Sequence, residues 1–251
     1  MTKRFAAKAQ VALGLSVLLL AGCNQSILTG SVRQPDNSDR LRIAEAVESA
    51  GQSATAVSIY ASAAAAAPDR ADVQARYAGA LMRAGNMTTA TEVLERALTR
   101  HPRDLDLLRT QAKVQLLKGE SEAALGTLDR ALALAPNDPM TLSNRAMALD
   151  LLGRSAEALT VHSTARQAAP ENLTVANNYA FSLMLAGRAA EAVTVLEPLA
   201  RRTEAGPRVH NNLVLARAAA GSTSTAQDRA RGSISAEEAT TLARDLRSLG
   251  G

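Results

Sequence analysis

Only a few residues of this chain are of the types that perform nucleophilic or metal chemistry: one cysteine and three histidines. His101, His162 and His210 stand far apart and show none of the spacings by which histidines and cysteines share a metal ion. The sequence also contains no G-x-x-x-x-G-K-[ST] phosphate loop and no G-x-S-x-G nucleophile motif. Because catalysis needs such groups in one arrangement, the sequence favours a binding protein over an enzyme, with no metal and no catalytic residue.

Side-chain amides form the most regular set of polar groups. Asn144, Asn178 and Asn212 recur every 34 residues, and Asn177 and Asn211 directly precede the last two. An amide both donates and accepts hydrogen bonds, so a row of amides along one surface can hold the backbone of an extended peptide. The alternative interpretation is that these amides only satisfy backbone groups nearby, and both interpretations stay open at this point.

Three apolar side chains are expected beside the amides: Met147, Phe181 and Met184. Flexible thioethers adapt to varied apolar partners, which suits a surface that accepts hydrophobic peptide side chains. Methionine at helical spacing is more often part of a core, and this is the alternative interpretation.

The spacing of these residues belongs to a repeat that runs through most of the chain. Three unlike residue types share its step of 34 residues. They are the prolines 68, 102, 136 and 170, the glycines 51, 85, 119, 153, 187 and 221, and the alanines 56, 90, 124, 158, 192 and 226. Three residue types do not share one period by chance, so each repeat is one structural unit.

Each unit predicts two helices, A and B. In residues 139–172, apolar residues follow helical spacing up to Gly153, and a second helical pattern ends before Pro170. Glycine permits the turn between the helices, and proline stops helix B. Aromatic residues make up only 2% of the chain and tryptophan is absent, so Ala, Leu and Val must fill the interior, as close helix packing allows.

This pattern resembles the tetratricopeptide repeat, with five units over residues 37–206. Matching alanines lie at 44, 78, 112, 146 and 180 in helix A and at 63, 97, 131 and 165 in helix B. The fifth unit departs from the pattern, with Leu199 in place of the last alanine and Glu204 in place of proline. The resemblance implies that helix A of each unit lines a concave surface, where the asparagines and apolar residues form a peptide-binding groove, best developed in the carboxy-terminal half.

The end of the chain predicts how the repeat array stops. Residues 207–234 begin as a sixth unit and then degenerate. Residues 235–251 predict a final helix, since Ser235 and Glu238 have the spacing of a capping box. Its apolar face consists of Ala239, Leu242, Ala243 and Leu246. The expected fold is therefore all-α, an α-solenoid of tetratricopeptide helical hairpins closed by a C-terminal capping helix.

The amino terminus predicts export and attachment to a membrane. Residues 1–22 have the basic start, the short apolar run and the small-residue exit of a signal peptide. Leu20-Ala21-Gly22-Cys23 resembles the lipobox of bacterial lipoproteins, which implies that Cys23 carries palmitate-type acyl chains and no other cofactor is needed. A chance cysteine behind an ordinary signal peptide is the alternative. Residues 23–36 are polar and read as a flexible tether.

The charge of the mature chain argues against a nucleic-acid partner. Three of the 28 Lys and Arg residues and none of the 24 Asp and Glu residues precede Cys23, which leaves 25 basic residues against 24 acidic ones. A nearly neutral protein lacks the positive surface on which nucleic-acid binding depends.

Lipobox, tether and repeats together resemble the TadD-like lipoproteins of the tight-adherence (Flp) pilus assembly family. Residues 173–202, NLTVANNYAFSLMLAGRAAEAVTVLEPLARR from Asn172 onward, resemble that family most. The resemblance implies an outer-membrane lipoprotein on the periplasmic face, with Asn24 after Cys23 consistent with that sorting. It implies a role in assembling the pilus secretin, as a pilotin does, with the secretin or another pilus component as partner. A periplasmic scaffold that recruits cell-wall hydrolases or other envelope enzymes is the alternative, and the oligomeric state stays open.

Overall fold

The computed structural model describes residues 36–222 and 231–249, and these residues belong to one compact unit that begins at Asp36. The signal peptide, Cys23 and the tether up to Pro35 lie outside the described residues, as do residues 223–230 of the sixth unit. Within the described ranges the chain forms twelve α-helices and no strand. The helices are α1 Asn37–Ser49, α2 Ser53–Ala66, α3 Ala71–Arg83, α4 Met87–Arg100, α5 Leu105–Leu117, α6 Ser121–Leu134, α7 Pro139–Leu151, α8 Ser155–Ala168, α9 Leu173–Leu185, α10 Ala189–Ala200, α11 Pro207–Ala219 and α12 Ala236–Leu249.

Helices α1 to α10 form five antiparallel hairpins, in which the odd-numbered helix is helix A and the even-numbered one is helix B. The turn inside each hairpin uses the recurring glycine. Gly85 has φ of 82° and donates to the Met82 carbonyl at 3.1 Å, while the Asn86 amide donates to Leu81 at 2.9 Å. These two bonds satisfy the last carbonyls of α3 in a left-handed conformation that glycine adopts without strain.

A polar residue caps the start of several A helices. The Asp104 carboxylate accepts the Leu107 amide at 2.9 Å, Asp138 accepts Thr141 at 2.7 Å, and Asn172 accepts Val175 at 3.1 Å. Each cap satisfies an amide that has no partner inside its helix, and such a bond stabilises a helix by about 1 kcal/mol. The caps recur with the repeat and fix where each A helix begins.

Small residues allow the two helices of a hairpin to approach closely. The helix A alanines 44, 78, 112, 146 and 180 and the helix B alanines 56, 90, 124, 158 and 192 are all fully buried. Larger side chains such as Leu94, Leu128 and Leu196 fill the space between the hairpins. The solenoid fold predicted from the sequence is confirmed, with a continuous core of alanine and leucine.

The fifth hairpin differs from the others where its sequence departs from the pattern. Its second helix contains Pro198 and ends at Ala200, two residues earlier in the unit than the other B helices. Leu199, which replaces the small residue of the other units, is buried in the core. The exchange of alanine for leucine is accommodated because the shortened helix leaves room at its end.

The final helix closes the carboxy-terminal end of the stack. The Ser235 amide donates to Glu238 Oε2 at 2.8 Å and the Glu238 amide donates to Ser235 Oγ at 3.1 Å, which is the predicted capping box. Ala239 and Ala243 are buried against α11. Leu242 is 45% exposed, so its predicted place on the buried face was wrong, because the contact centres on the two alanines. In the described residues, no helix is both long and apolar enough to cross a bilayer.

Candidate functional site

The A helices of successive repeats lie side by side and present one continuous surface. Contacts run from α3 to α5, from α5 to α7, from α7 to α9 and from α9 to α11. In α3 this surface consists of Asp72, Ala75, Arg76, Gly79, Met82 and Arg83, which are three or four residues apart and share one helical face. We call the corresponding surface of all the A helices the groove.

The deepest part of the groove lies in the amino-terminal half. A cavity of about 500 Å³ is lined by residues of α1, α3, α5 and α7, with an additional contribution from Tyr60 of α2. The residues that decide its character are Glu45, Glu48, Arg76, Arg83, Lys113 and Asn144. The expectation that the carboxy-terminal half holds the better site was therefore incomplete, because this cavity lies at the opposite end.

Ion pairs between neighbouring helices occupy most of the charges in this cavity. Arg83 of α3 binds Glu48 of α1 through two bonds, Nε to Oε1 at 2.5 Å and Nη2 to Oε2 at 2.8 Å. Arg76 pairs with Glu45 in the same way, one turn earlier on both helices. These pairs hold α1 and α3 in register and leave the two arginines with little unbalanced charge.

Arg109 of α5 makes a similar link to the following repeat. Its guanidinium contacts Asp106 Oδ1 at 3.1 Å, Thr141 Oγ1 at 3.2 Å and the carboxylate of Asp138. Burial acts to raise the pKa of Asp138, but hydrogen bonds from Thr141 and the charge of Arg109 hold it below its ordinary value. The carboxylate is therefore ionised at neutral pH.

Lys113 differs from these arginines. Its side chain is exposed, and none of the carboxylates in the described residues forms an ion pair with it. It lies one turn before the end of α5, so its charge faces the middle of the groove. The groove thus offers one positive charge that its own residues do not neutralise.

Exposed apolar side chains line the groove in the next three repeats. Leu117 of α5 is 63% exposed, Leu151 of α7 is 60% exposed and Phe181 of α9 is 39% exposed. Leu117 and Leu151 occupy the same place in their helices as Arg83 in α3, and half-buried Leu185 continues the row. We call Leu117, Leu151, Phe181 and Leu185 the apolar row. Among the described residues only two other large apolar side chains, Ile43 and Leu242, are similarly exposed.

The predicted asparagines are mostly engaged with one another or with neighbouring repeats. The Asn212 amide donates to Asn177 Oδ1 at 3.0 Å, and Asn178 donates to Ser143 Oγ at 3.1 Å. Asn211 donates to Ser233 Oγ at 2.9 Å and accepts the Ser233 amide at 2.6 Å, which ties down the segment before α12.

Asn144 is the exception among the asparagines. It is buried beside the cavity, and its Nδ2 has no hydrogen-bond partner among the described residues. A buried amide without a partner costs free energy, so an external acceptor or donor would be favourable here. Asn144 therefore keeps the peptide-binding interpretation, while the bonds of Asn178 and Asn212 give those residues a structural role as well.

The three predicted apolar residues do not share one environment. Phe181 is exposed on the groove, and half-buried Met147 lies with its sulfur 3.4 Å from the Asn178 amide. Met184 is only 2% exposed and packs in the core with Leu183 and Leu213, so its expected place on the groove surface was wrong. The reason is geometric, because consecutive helical residues point about 100° apart and the exposed position of α9 is the next residue, Leu185.

Sequence reasoning overlooked Leu117, Leu151 and Lys113. A signal for the leucines existed, since Leu117, Leu151 and Leu185 are each 34 residues apart. No comparable signal marks Lys113, because its lack of a partner depends on which carboxylates the neighbouring helices present.

The histidines occupy separate places in the described residues. His162 is completely buried with its Nε2 at 3.4 Å from Asp150 Oδ2, while Asp150 Oδ1 accepts a hydrogen bond from Ser182 at 2.9 Å. Serine, aspartate and histidine form a hydrolase triad only when histidine lies between the other two, and here aspartate does. Within residues 36–222 and 231–249, no three His, Cys, Asp or Glu side chains are placed to hold a metal ion.

Comparison with known proteins agrees with the repeat pattern. Two models described as the tetratricopeptide repeat match the chain, one over residues 41–104 and the other over residues 81–141. No curated protein matches the sequence. The two matched segments together span the first three hairpins and the start of the fourth.

Solved structures share the fold at low sequence identity. A tetratricopeptide repeat protein from Parabacteroides merdae is 13% identical with a TM-score of 0.65, over 88% of this chain and 82% of that one. A thermophilic repeat protein from Thermus thermophilus is 18% identical with a TM-score of 0.66, over 72% of this chain and 98% of that one. MamA from Desulfovibrio magneticus is 16% identical with a TM-score of 0.52, over 65% of this chain and 93% of that one.

The family match and the geometry lead to one assignment. The matched segments, the hairpins of α1 to α10 and the resemblance to repeat proteins over most of the chain all describe the same architecture. Proteins of this kind mediate interactions between proteins, through surfaces built by their stacked helices. The chain is a tetratricopeptide-repeat protein.

Proposed function

We propose that this protein is a non-catalytic, lipid-anchored binding protein whose groove holds a segment of a partner protein. The observation that carries the proposal is the apolar row, in which Leu117 and Leu151 each expose about 60% of their surface on the same face of adjacent helices. Aligned exposed apolar side chains are typical of protein-interaction sites, because their burial by a partner is favourable. The adjoining cavity adds polar groups that give the interaction specificity.

Attachment to a membrane is part of the proposal. Its support is the lipobox-like Leu20-Ala21-Gly22-Cys23, which follows a basic start and a short apolar run. Acyl chains on Cys23 would hold the protein at the outer membrane with the repeats in the periplasm, since two or more chains anchor a protein stably. A Cys23→Ser variant should lose its acyl mass and appear in the soluble fraction. Unchanged mass and fractionation would refute the anchor.

The finer proposal is a role in assembling the Flp pilus. It is supported by the combination of a lipobox, a polar tether and five to six repeats, which resembles the lipoproteins of that system. In this role the lipid directs the protein to the outer membrane and the groove holds a segment of the pilus secretin or another assembly component. Binding then brings the partner to the membrane where it assembles.

Site-specific photocrosslinking in living cells tests the proposal. A photoreactive residue replaces Leu151 on the groove and, in a matched strain, Gln167 on the outer helix α8 of the same repeat; both positions are exposed. The proposal predicts that Leu151 captures the secretin or another pilus component and that Gln167 does not.

Other outcomes of the same experiment lead to different conclusions. Capture of a cell-wall hydrolase at Leu151 would replace the pilus role with the envelope scaffold while keeping the groove as the binding site. Capture only at Gln167 would contradict the groove itself.

A further inference from the structure

We propose that the segment held in the groove is an extended, polyproline II-like peptide with an apolar side chain at every third residue and an acidic side chain at the end nearest α5. This inference rests on the proposed function, because it names the class of partner that the same groove accepts. Its arguments are the spacing of the apolar row, the free charge of Lys113 and the unpartnered amide of Asn144.

The spacing of the A helices selects the conformation of the peptide. Adjacent A helices are in contact, and packed helices lie about 8–10 Å apart. A polyproline II helix repeats every three residues and advances about 9 Å per turn, so side chains three residues apart meet successive A helices. A β-strand presents same-side residues about 6.5 Å apart and falls out of step with the helices.

The apolar row defines what those side chains are. Leu117, Leu151 and Phe181 lie on three consecutive A helices, and each leaves a substantial part of its side chain in water. Apolar peptide residues at one position and at the third and sixth residues after it would each cover one member of the row. The free energy gained comes from the apolar surface removed from water on both sides.

Lys113 sets the orientation of the peptide. The other cations that line the cavity, Arg76, Arg83 and Arg109, face carboxylates of this chain, whereas no carboxylate in the described part of the chain pairs with Lys113. Lys113 is one helical turn from Leu117, at the end of the apolar row that faces the cavity. An acidic peptide residue beside the first apolar one would neutralise this charge.

The amide of Asn144 favours an extended backbone as the occupant. This buried side chain lies at the α7 edge of the cavity and leaves Nδ2 without a partner among the described residues. A polyproline II segment makes no hydrogen bonds within its own backbone, so its carbonyl groups remain available to such a donor. A helical peptide would have its carbonyl groups already bonded.

Binding of designed peptides to the full-length chain in a mild non-ionic detergent tests the inference. The probe is fluorescein-labelled Asp-Leu-Pro-Ser-Leu-Pro-Ser-Leu-Pro, and its control is the isomer Asp-Leu-Leu-Leu-Pro-Ser-Pro-Ser-Pro. Fluorescence anisotropy should show that the spaced peptide binds about tenfold more tightly than the isomer, because only the spaced leucines each meet one helix. Equal binding of the two peptides would overturn the spacing argument.

Variants of exposed residues separate the apolar and the ionic contributions. Leu151→Ser should weaken binding of the spaced peptide about tenfold, whereas Ile43→Ser, an equally conservative change on α1 outside the cavity lining, should leave it unchanged. Lys113→Gln should weaken binding about threefold and reduce its salt dependence, whereas Lys118→Gln should do neither, because Lys118 already pairs with Glu120 at 2.7 Å. Equal losses in the paired variants would contradict the inference.

The outcomes distinguish this inference from the proposed function. If Leu151 crosslinks a partner in cells but neither peptide binds, the groove binds protein and the peptide class is wrong. If neither crosslinking nor peptide binding occurs, both the inference and the proposed function fail.

Discussion

At the scale of single residues, polar side chains that link one repeat to the next stand out. Asn212 donates to Asn177, Asn178 to Ser143, and Ser182 to Asp150, always between successive A helices. In a solenoid each repeat contacts only its neighbours, so such bonds contribute directly to the interface between repeats. The same side chains lie along the groove, and this explains why one residue can serve both stability and binding.

Replacing Asn212 tests the structural role of the amides. Asn212→Ala should lower the free energy of unfolding by about 1–2 kcal/mol, since it removes a hydrogen bond and leaves the buried Oδ1 of Asn177 without its donor. Chemical denaturation measures the change. Gln167→Ala, at an exposed amide of α8, is the control and should alter stability by less than about 0.5 kcal/mol. Equal effects of the two variants would show that the bond contributes nothing.

Asp138 makes stability depend on pH. Its pKa is lowered in the folded protein, so the ionised carboxylate stabilises the fold above its unfolded pKa of about 3.9. That contribution is lost as the pH falls through the lower, folded pKa. Asp138→Asn keeps an N-cap for α7 but removes the charge facing Arg109.

The wild type should therefore exceed Asp138→Asn by about 1 kcal/mol at pH 7, and the difference should disappear in acid. Urea denaturation at several pH values measures it. Asp69→Asn, which alters a largely exposed pair with Arg100 at 3.5 Å, is the control. A difference that stays constant down to the lowest pH would contradict the role given to the carboxylate.

At the scale of helices and turns, the 34-residue period accounts for most of the architecture. It predicted the hairpins, the glycine turns and the buried alanines, because each is a local requirement that recurs in every unit. It also contained the caps at Asp104, Asp138 and Asn172, which follow the same period. The period did not resolve which side of helix A faces outward, and therefore Met184 was placed on the groove and Leu151 was overlooked.

Two glycines provide an opposed pair of predictions at this scale. Gly153 has φ of 73°, so Gly153→Ala should destabilise the protein by about 1 kcal/mol although no neighbouring atom obstructs a methyl group. Gly126 lies exposed inside α6 with open space around it, so Gly126→Ala should stabilise by about 0.5–1 kcal/mol. Thermal unfolding compares both with the wild type. Shifts of the same sign would mean that backbone conformation does not govern these positions.

Arginines near the end of helix B join successive hairpins along their outer side. Arg130 donates to the Pro102 carbonyl at 3.1 Å, and Arg202 donates to the Glu171 carbonyl at 3.0 Å. These carbonyls lie just beyond the preceding B helix, where the helix itself supplies no donor. Together with the pairs of Arg76 and Arg83, they fix the register of neighbouring hairpins from both sides. Such pairs join residues about one repeat apart, so single-element patterns do not reveal them.

At the scale of the whole molecule, the array needs a closed end. The face of α11 beyond the fifth hairpin is covered by α12 through Ala239 and Ala243. A chain that stops at residue 234 should unfold at a lower temperature and self-associate, because the uncovered apolar surface of the last repeat seeks another partner. Calorimetry and sedimentation velocity measure both effects. A truncated protein with unchanged melting and sedimentation would show that α12 is not a cap.

The groove divides this molecule into two functional regions. Repeats one to three contribute a cavity whose arginines are balanced by carboxylates, and repeats three to five contribute the apolar row. Composition and period predicted that a binding surface exists on the A helices. They could not predict its division, because exposure and ion pairing depend on contacts between units.

The measurement that tests this account most directly compares partner capture by two double variants. Leu117→Ser with Leu151→Ser removes most of the exposed surface of the apolar row, and Ile43→Ser with Leu242→Ser removes similarly exposed leucine and isoleucine elsewhere. After mild crosslinking in cells, quantitative mass spectrometry should find the partner of the wild type reduced at least about tenfold with the first variant and unchanged with the second. Equal capture by both variants, each shown by circular dichroism to be folded, would contradict the claim that the groove binds the partner.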